Sequence, residues 1–265
     1  MLRRPDELPH LEGATMSLRR ILNFLSIAVA AVAVLSCTVT PPASSTGGAS
    51  LAQSDRQAEL TADYAALGKA QGGHVFTLDP GKSMVRIYVF RGGRAAAVGH
   101  NHVLSAPRFI GFFYLPATGA ANGRFDLSFR LDQLEIDNPA YRSALGSAFS
   151  SALSPEDIQG ARAHMLGANN LQADLFPFVR VHSLQITGES PKFAAKVQIE
   201  MHGRKQEMWI PLSVEGLPEH LSVAGSFVLR QTDFGVRPYS VLGGFLAVQD
   251  EVVIEFRLMG GRDPR

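Results

Sequence analysis

The chain has 265 residues, a formal net charge of +1, 46% hydrophobic and 18% charged side chains. Those values allow a sizeable core in one large domain or two small ones, and the chain lacks the clustered Lys and Arg that nucleic acid or another polyanion requires. Its single cysteine, Cys37, excludes an internal disulfide and a Cys-rich metal site.

Residues 1–36 read as an export signal. From Met16 the chain runs Ser17-Leu18-Arg19-Arg20, then through residues 21–35 with almost no polar side chain, a basic start followed by a short apolar stretch. The stretch is about 15 residues, short of the ~20 that a membrane-spanning helix needs. Val34-Leu35-Ser36-Cys37 resembles a bacterial lipobox, in which the Cys is lipidated and begins the mature protein. A plain signal peptide cut near a Cys is the alternative. Residues 1–15 place acidic and proline residues ahead of the basic region and read as an over-extended gene start, with a longer signal as the alternative. The expected location is the periplasm, with the protein held to a membrane through a lipid on Cys37.

Residues 37–73 are expected to be the lipidated Cys and a flexible tether, since residues 38–53 are dominated by Pro, Ser, Thr and Gly and bury too little apolar area to offset their conformational entropy. Within that span, residues 57–69 carry Leu60, Tyr64 and Leu67 at the spacing of a short amphipathic helix.

Residues 74–260 read as one β domain. Val85, Ile87 and Val89 share a face, with Tyr88 and Phe90 on the other, and residues 108–115 are aromatic on both faces. Phe125, Leu127, Phe129 and Leu131 then alternate with polar residues, as do Val179 and Val181, then Phe193, Ala195, Val197, Ile199 and Met201. Met208, Ile210, Leu212 and Val214 follow, then Leu221, Val223, Phe227 and Leu229, and last Val252, Ile254, Phe256 and Leu258. A period of two with one polar face marks half-buried antiparallel strands. The turns Asn122-Gly123, Gly188-Glu189-Ser190-Pro191, His202-Gly203 and Gly216-Leu217-Pro218 are short. One long interruption, between the third and fourth strands, holds Ser154-Pro155-Glu156-Asp157, a helix start with Ser as cap and Pro in the first turn. The helix is expected to run to about Met165 and to end at Gly167.

Eight strands joined by short turns, with helices inserted once, predict an all-β, eight-stranded, up-and-down antiparallel barrel; a two-layer sandwich would need longer crossovers. Such a barrel is just wide enough to be filled by side chains or to hold one small ligand. The inward faces are nearly free of charge, so the interior suits a hydrocarbon.

Several blocks resemble the YceI-like family, exported bacterial lipocalin-like barrels that bind polyisoprenoid lipids. They are Ala163-His164-Met165-Leu166 with Leu175-Phe176-Pro177 and Val181-His182-Ser183; Ile199-Glu200-Met201-His202-Gly203-Arg204; Gln231-Thr232-Asp233-Phe234-Gly235-Val236; and the closing strand over residues 250–258. Their order and spacing carry the likeness. The resemblance implies a long isoprenoid chain, such as a quinone tail, as bound ligand, with no cofactor required. The family pattern lacks the paired histidines of Gly99-His100-Asn101-His102, which mark a subgroup.

The residues expected to line the lipid site are Phe125, Leu127, Phe129, Val181, Val197, Ile199, Met208, Ile210, Phe227, Leu229, Ile254 and Phe256. For Phe125, Phe129, Phe227 or Trp209 taken singly, ordinary core packing is the better reading, so the pocket rests on the fold and the family resemblance and not on any one ring. His100, His102 and His164 are candidates for a polar head group. His100 and His102, two apart, point to one side of an extended segment and so are open to three readings: a metal site completed by His164 and His202, contact with a polar ligand, or a structural loop. The chain has no Gly-x-Ser-x-Gly, no His-Glu-x-x-His and no Gly-rich phosphate loop, which points to binding and not catalysis. A metal-binding protein or metalloenzyme built on the histidines, and a barrel filled by its own side chains, stand as the alternatives.

Overall fold

In the computed structural model, which describes residues 46–263 (side chains from residue 54), α1 (Thr46–Gln71) leads into β1 (His74–Leu78), which continues past a tight turn into β2 (Met84–Gly92). β3 (His102–Ser105), β4 (Ile110–Leu115) and β5 (Arg124–Arg130) follow, then the two-residue β6 (Glu135–Ile136), α2 (Pro139–Ala144) and α3 (Pro155–Leu166). The chain ends with β7 (Phe178–Glu189), β8 (Lys192–Met201), β9 (Arg204–Glu215), β10 (His220–Arg230), the short β11 (Ser240–Val241) and β12 (Leu246–Arg262).

All pairings are antiparallel, and the order β1-β4-β5-β7-β8-β9-β10-β12 returns to β1 through Phe76 opposite Arg262. β12 closes the ring because, besides β10 and β11, its 17 residues reach both β2, through Ala247 to Arg257, and β1, through Gly260 to Arg262. With β1 and β2 taken as one bent strand and β3 and β4 as another, the barrel has the eight strands that the alternation predicts. The helical insertion follows the third of these, on the far side of β6, which pairs with β3. A closed ring leaves few unpaired strand edges.

Helix α3 begins as expected. Ser154 Oγ accepts from Asp157 N at 3.1 Å while Ser154 N donates to Asp157 Oδ2 at 2.9 Å, and Pro155 occupies the first turn. Its end differs: Gly167 is extended (φ −71°), and its glycine identity answers to Ala163 O, which would stand 2.9 Å from an added Cβ.

The tether expected through residue 73 is helical from Thr46. The amphipathic spacing seen over residues 57–69 belongs to this longer helix, which packs on the outside of the barrel: Leu60 and Tyr64 are buried against Ile110, Phe112 and Tyr114 of β4, with the Tyr64 and Phe112 rings 5.3 Å apart. That is why β4 is apolar on both faces. The other face of β2 is covered in the same way, Tyr88 and Phe90 packing with Val103, Tyr141, Leu145 and Phe149 of β3 and the insertion. Residues 1–36 and Cys37 lie outside the described residues. Ser45–Arg265 forms one compact unit that holds the closed ring and every apolar cluster described, so it carries its own folding determinants.

The helix is pinned by one polar contact. Tyr64 Oη donates to buried Asp126 Oδ2 at 2.8 Å, and His182 Nδ1 stands 2.8 Å from Oδ1. Burial, then the neighbouring Asp126 charge, push the Tyr64 hydroxyl far above its ordinary value, so the proton stays on Tyr64 and Asp126 is the acceptor. Leu60→Ala in Ser45–Arg265 should lower unfolding stability by about 2–5 kcal/mol. Urea unfolding followed by circular dichroism checks this, and a change below about 0.5 kcal/mol would mean that α1 does not pack there.

Candidate functional site

The inward faces of the strands surround a cavity of about 480 Å³, within the roughly 300–1,000 Å³ of small-molecule sites. Val85, Ile87 and Val89 of β2, Phe125, Leu127 and Phe129 of β5, Val197 and Ile199 of β8 and Ile254 and Phe256 of β12 are part of its wall. Side chains alternate across a strand, so each clean period-two run delivers one row of apolar groups inward.

Every residue expected to line the lipid site stands on this wall except Met208. Met208 shares the inward parity of Ile210 and lies opposite Val197, but packs against the core without reaching the cavity. The turn over Gln231–Phe234 folds across the start of β9 there, held by Gln206 Nε2 donating to Asp233 O at 2.7 Å. Trp209 is no core residue: it points outward and is 49% exposed. The parity of β7 breaks at an irregularity between Ser183 and Gln185, so that Leu184 is exposed and Ile186 joins Val179 and Val181 on the wall. Met165 and Leu171 line the cavity from α3 and the loop after it.

The polar groups gather at one end. His100, His102, Asp157, His164, Asn170, Gln231 and Tyr239 all belong to the wall. Of the wall residues, Asp157, His164 and Tyr239 are the exposed ones, which makes this end the mouth. Asp157 is the only formally charged side chain on the wall. The Ser154 backbone and hydroxyl hold its carboxyl below the usual carboxylate range. The His164 ring lies 4.8 Å from that of Tyr239.

A buried network orients the two paired histidines. His102 Nδ1 stands 2.6 Å from Asp137 Oδ2, while Asp137 Oδ1 accepts from Arg142 Nη1 at 2.7 Å and from Val103 N at 3.1 Å. Burial pushes the Asp137 carboxyl up, but the hydrogen bonds from His102, Val103 and Arg142 outweigh it and hold the group below its ordinary value. A carboxylate only accepts, so His102 Nδ1 carries a proton, and in the neutral form of the ring Nε2 is an acceptor. Arg142 also donates to Asn101 O at 2.8 Å and to Ser151 O and Oγ at 3.1 Å, and Ser151 Oγ stands 3.0 Å from His100 Nδ1. Asn101 closes the loop, accepting from Arg91 N and donating to Ala148 O, each at 3.0 Å.

Neither Asp137 nor Arg142 is conspicuous in the sequence. The one hint is Asp137-Asn138-Pro139, a turn signal, and Asp137 does sit in the left-handed region (φ 54°). His202 is not part of the mouth; it lies in the turn between β8 and β9 (φ 53°), donating from Nδ1 to Phe234 O at 3.0 Å. The described residues hold no group of three or more His, Cys, Asp or Glu side chains able to share a metal ion, and no helix among them is long and apolar enough to cross a membrane.

The sequence matches no family model and no curated protein. Solved structures do match. Burkholderia cenocepacia BcnA aligns with a TM-score of 0.51 at 16% identity, over 69% of this chain and 98% of BcnA. The Campylobacter jejuni YceI protein aligns with a TM-score of 0.45 at 8% identity, over 61% of this chain and 85% of that one. At such identities the likeness is one of fold alone, a closed antiparallel barrel shared with BcnA.

Proposed function

We propose that the barrel binds a long apolar lipid with an uncharged polar head, of the polyisoprenoid or isoprenoid-quinone kind, and stores or carries it without transforming it. The observation that carries this reading is the cavity of about 480 Å³ with an almost wholly aliphatic and aromatic wall. Water finds too few partners on such a wall.

The mouth selects the head. Asp157 repels a carboxylate or phosphate, whereas the histidines suit a carbonyl or hydroxyl. His102 Nε2 accepts in the neutral form of its ring. Ser151 Oγ accepts from Arg142 and stands 3.0 Å from His100 Nδ1; where the serine proton goes to that nitrogen, His100 Nε2–H is a donor. In the full chain, a lipid on Cys37 would hold the barrel beside a membrane in the periplasm.

Ser45–Arg265 expressed in a bacterium and purified without detergent should carry an added mass of several hundred daltons in native mass spectrometry, removable by organic extraction. Phe227→Arg should abolish that mass while leaving the circular dichroism spectrum unchanged; a lipid retained in the variant would overturn the interior as its site. His102→Leu should weaken an isoprenoid quinone by about three- to tenfold, the value of one neutral hydrogen bond, and leave a hydrocarbon of the same tail unaffected in parallel titrations. Wild-type protein should bind a long-chain fatty acid poorly at neutral pH, and Asp157→Asn should improve it; equal binding by both proteins would remove the charge filter.

A further inference from the structure

We infer that the rim of the cavity mouth docks on an anionic lipid bilayer. The inference goes beyond the cavity reading, because it concerns the outer surface and could hold for an empty barrel. Two adjoining loops form this part of the rim, residues 91–99 and 235–247. Ala95 N donates to Phe245 O at 2.7 Å, and Gly93 passes so close to Gly244 and Phe245 that a Cβ there would lie within 2.6 Å of both carbonyl oxygens. Their tips turn large apolar groups to solvent: Leu242 is 83% exposed, Val98 72% and Phe245 50%. Leu242 is held in the left-handed region (φ 51°) between β11 and Gly243 (φ 65°). A branched side chain is rarely found there, and its effect here is to aim an aliphatic group outward.

Charge identifies the occupant. The two loops contain Arg91, Arg94 and Arg237 and no acidic residue. Arg94 and Arg237 are exposed, and neither forms an ion pair among the described residues. The acids nearest in sequence to the second loop, Asp233 ahead of it and Asp250 and Glu251 beyond it, both beside Arg230, lie outside the two loops. So do Glu156, Asp157 and Asp174, on α3 and the loop after it. Apolar tips flanked by unpaired guanidinium groups match a surface of phosphates over hydrocarbon. The patch is continuous with the mouth: His100 follows the first loop, Tyr239 lies within the second, and both belong to the cavity wall. A bilayer touching the tips would therefore lie against the opening.

The test is co-sedimentation of Ser45–Arg265 with vesicles of phosphatidylcholine, with and without one-third phosphatidylglycerol. Binding is expected to the anionic vesicles only, to fall roughly tenfold or more in Leu242→Asp/Phe245→Asp, and to fall roughly fivefold per charge in Arg94→Glu and Arg237→Glu. Phe227→Arg should empty the cavity yet sediment as the wild type, so failure of the cavity reading and failure of the docking surface are separate results. No sedimentation with anionic vesicles, or binding that the tip substitutions leave unchanged in folded protein, would overturn the proposal. So would a dimer that the tip substitutions dissolve, which would assign the patch to a second copy of the chain.

Discussion

The hydrogen bonds that set Phe76, Thr77 and Leu78 opposite Arg262, Gly261 and Gly260 turn a sheet into a ring, and the rest of the molecule depends on them. A ring of eight strands is at the size where side chains from opposite walls only just meet. Here they leave space. Gly260 assists the closure itself: a Cβ there would press on the Leu78 side chain at 3.2 Å. Once the ring is shut, the backbone polar groups of the strands are paired with neighbours, and an apolar interior can be held without an exposed edge.

Closure also divides the work between two surfaces. The inner face packs the main apolar cluster yet leaves a cavity, so packing on the outside adds to what the interior supplies. There α1 covers Ile110, Phe112 and Tyr114, and the insertion covers Tyr88 and Phe90. The Asp137–Arg142 pair also stands outside the cavity wall, its carboxylate wholly buried. A buried ion pair is weak evidence for stability, since desolvation offsets much of the attraction. Its clearer consequence is geometric, because one carboxylate and one guanidinium fix Asn101, His102, Val103 and Ser151 together and so fix the polarity of the mouth.

Much of this was legible in the sequence, for a physical reason: a half-buried strand must alternate, and six of the eight strands do so, β7 only as far as its irregularity after Ser183. The two exceptions were informative too. Aromatic residues on both faces of residues 108–115 and 85–90 signalled strands covered twice, although what covered them could not be read from pattern alone. The bulge in β7 was invisible, because Leu184 and Ile186 look alike to a period-two count and only the pairing with β8 shows which turns inward. Met208 failed for a related reason. Parity puts it inside, but a count of two cannot separate a side chain that lines the cavity from one packed into the core around it. The mouth network was the least legible part. Asp137 and Arg142 act on His102 through contacts that no local spacing encodes, and the helix from Thr46 begins in a segment whose composition alone argues for a tether.

The proposed division between tail and head sets what such a carrier must solve. Each buried methylene contributes about 0.8 kcal/mol, so one five-carbon unit outweighs the roughly 0.5–1.5 kcal/mol of a single hydrogen bond at the histidines. Affinity then rises with chain length while the head sets only direction, holding the polar end at the mouth so that the tail enters first and leaves last. A ligand held this way pays the same methylene increments to escape into water, and its release into solution slows about fourfold with every added methylene. Release is fast only where the tail never meets water, which is the situation of a mouth whose rim rests on a bilayer. Apolar tips at Leu242, Val98 and Phe245 beside a polar, histidine-lined opening are what that constraint requires, and it accounts for large apolar groups standing in solvent on a protein that has a cavity in which to hide them.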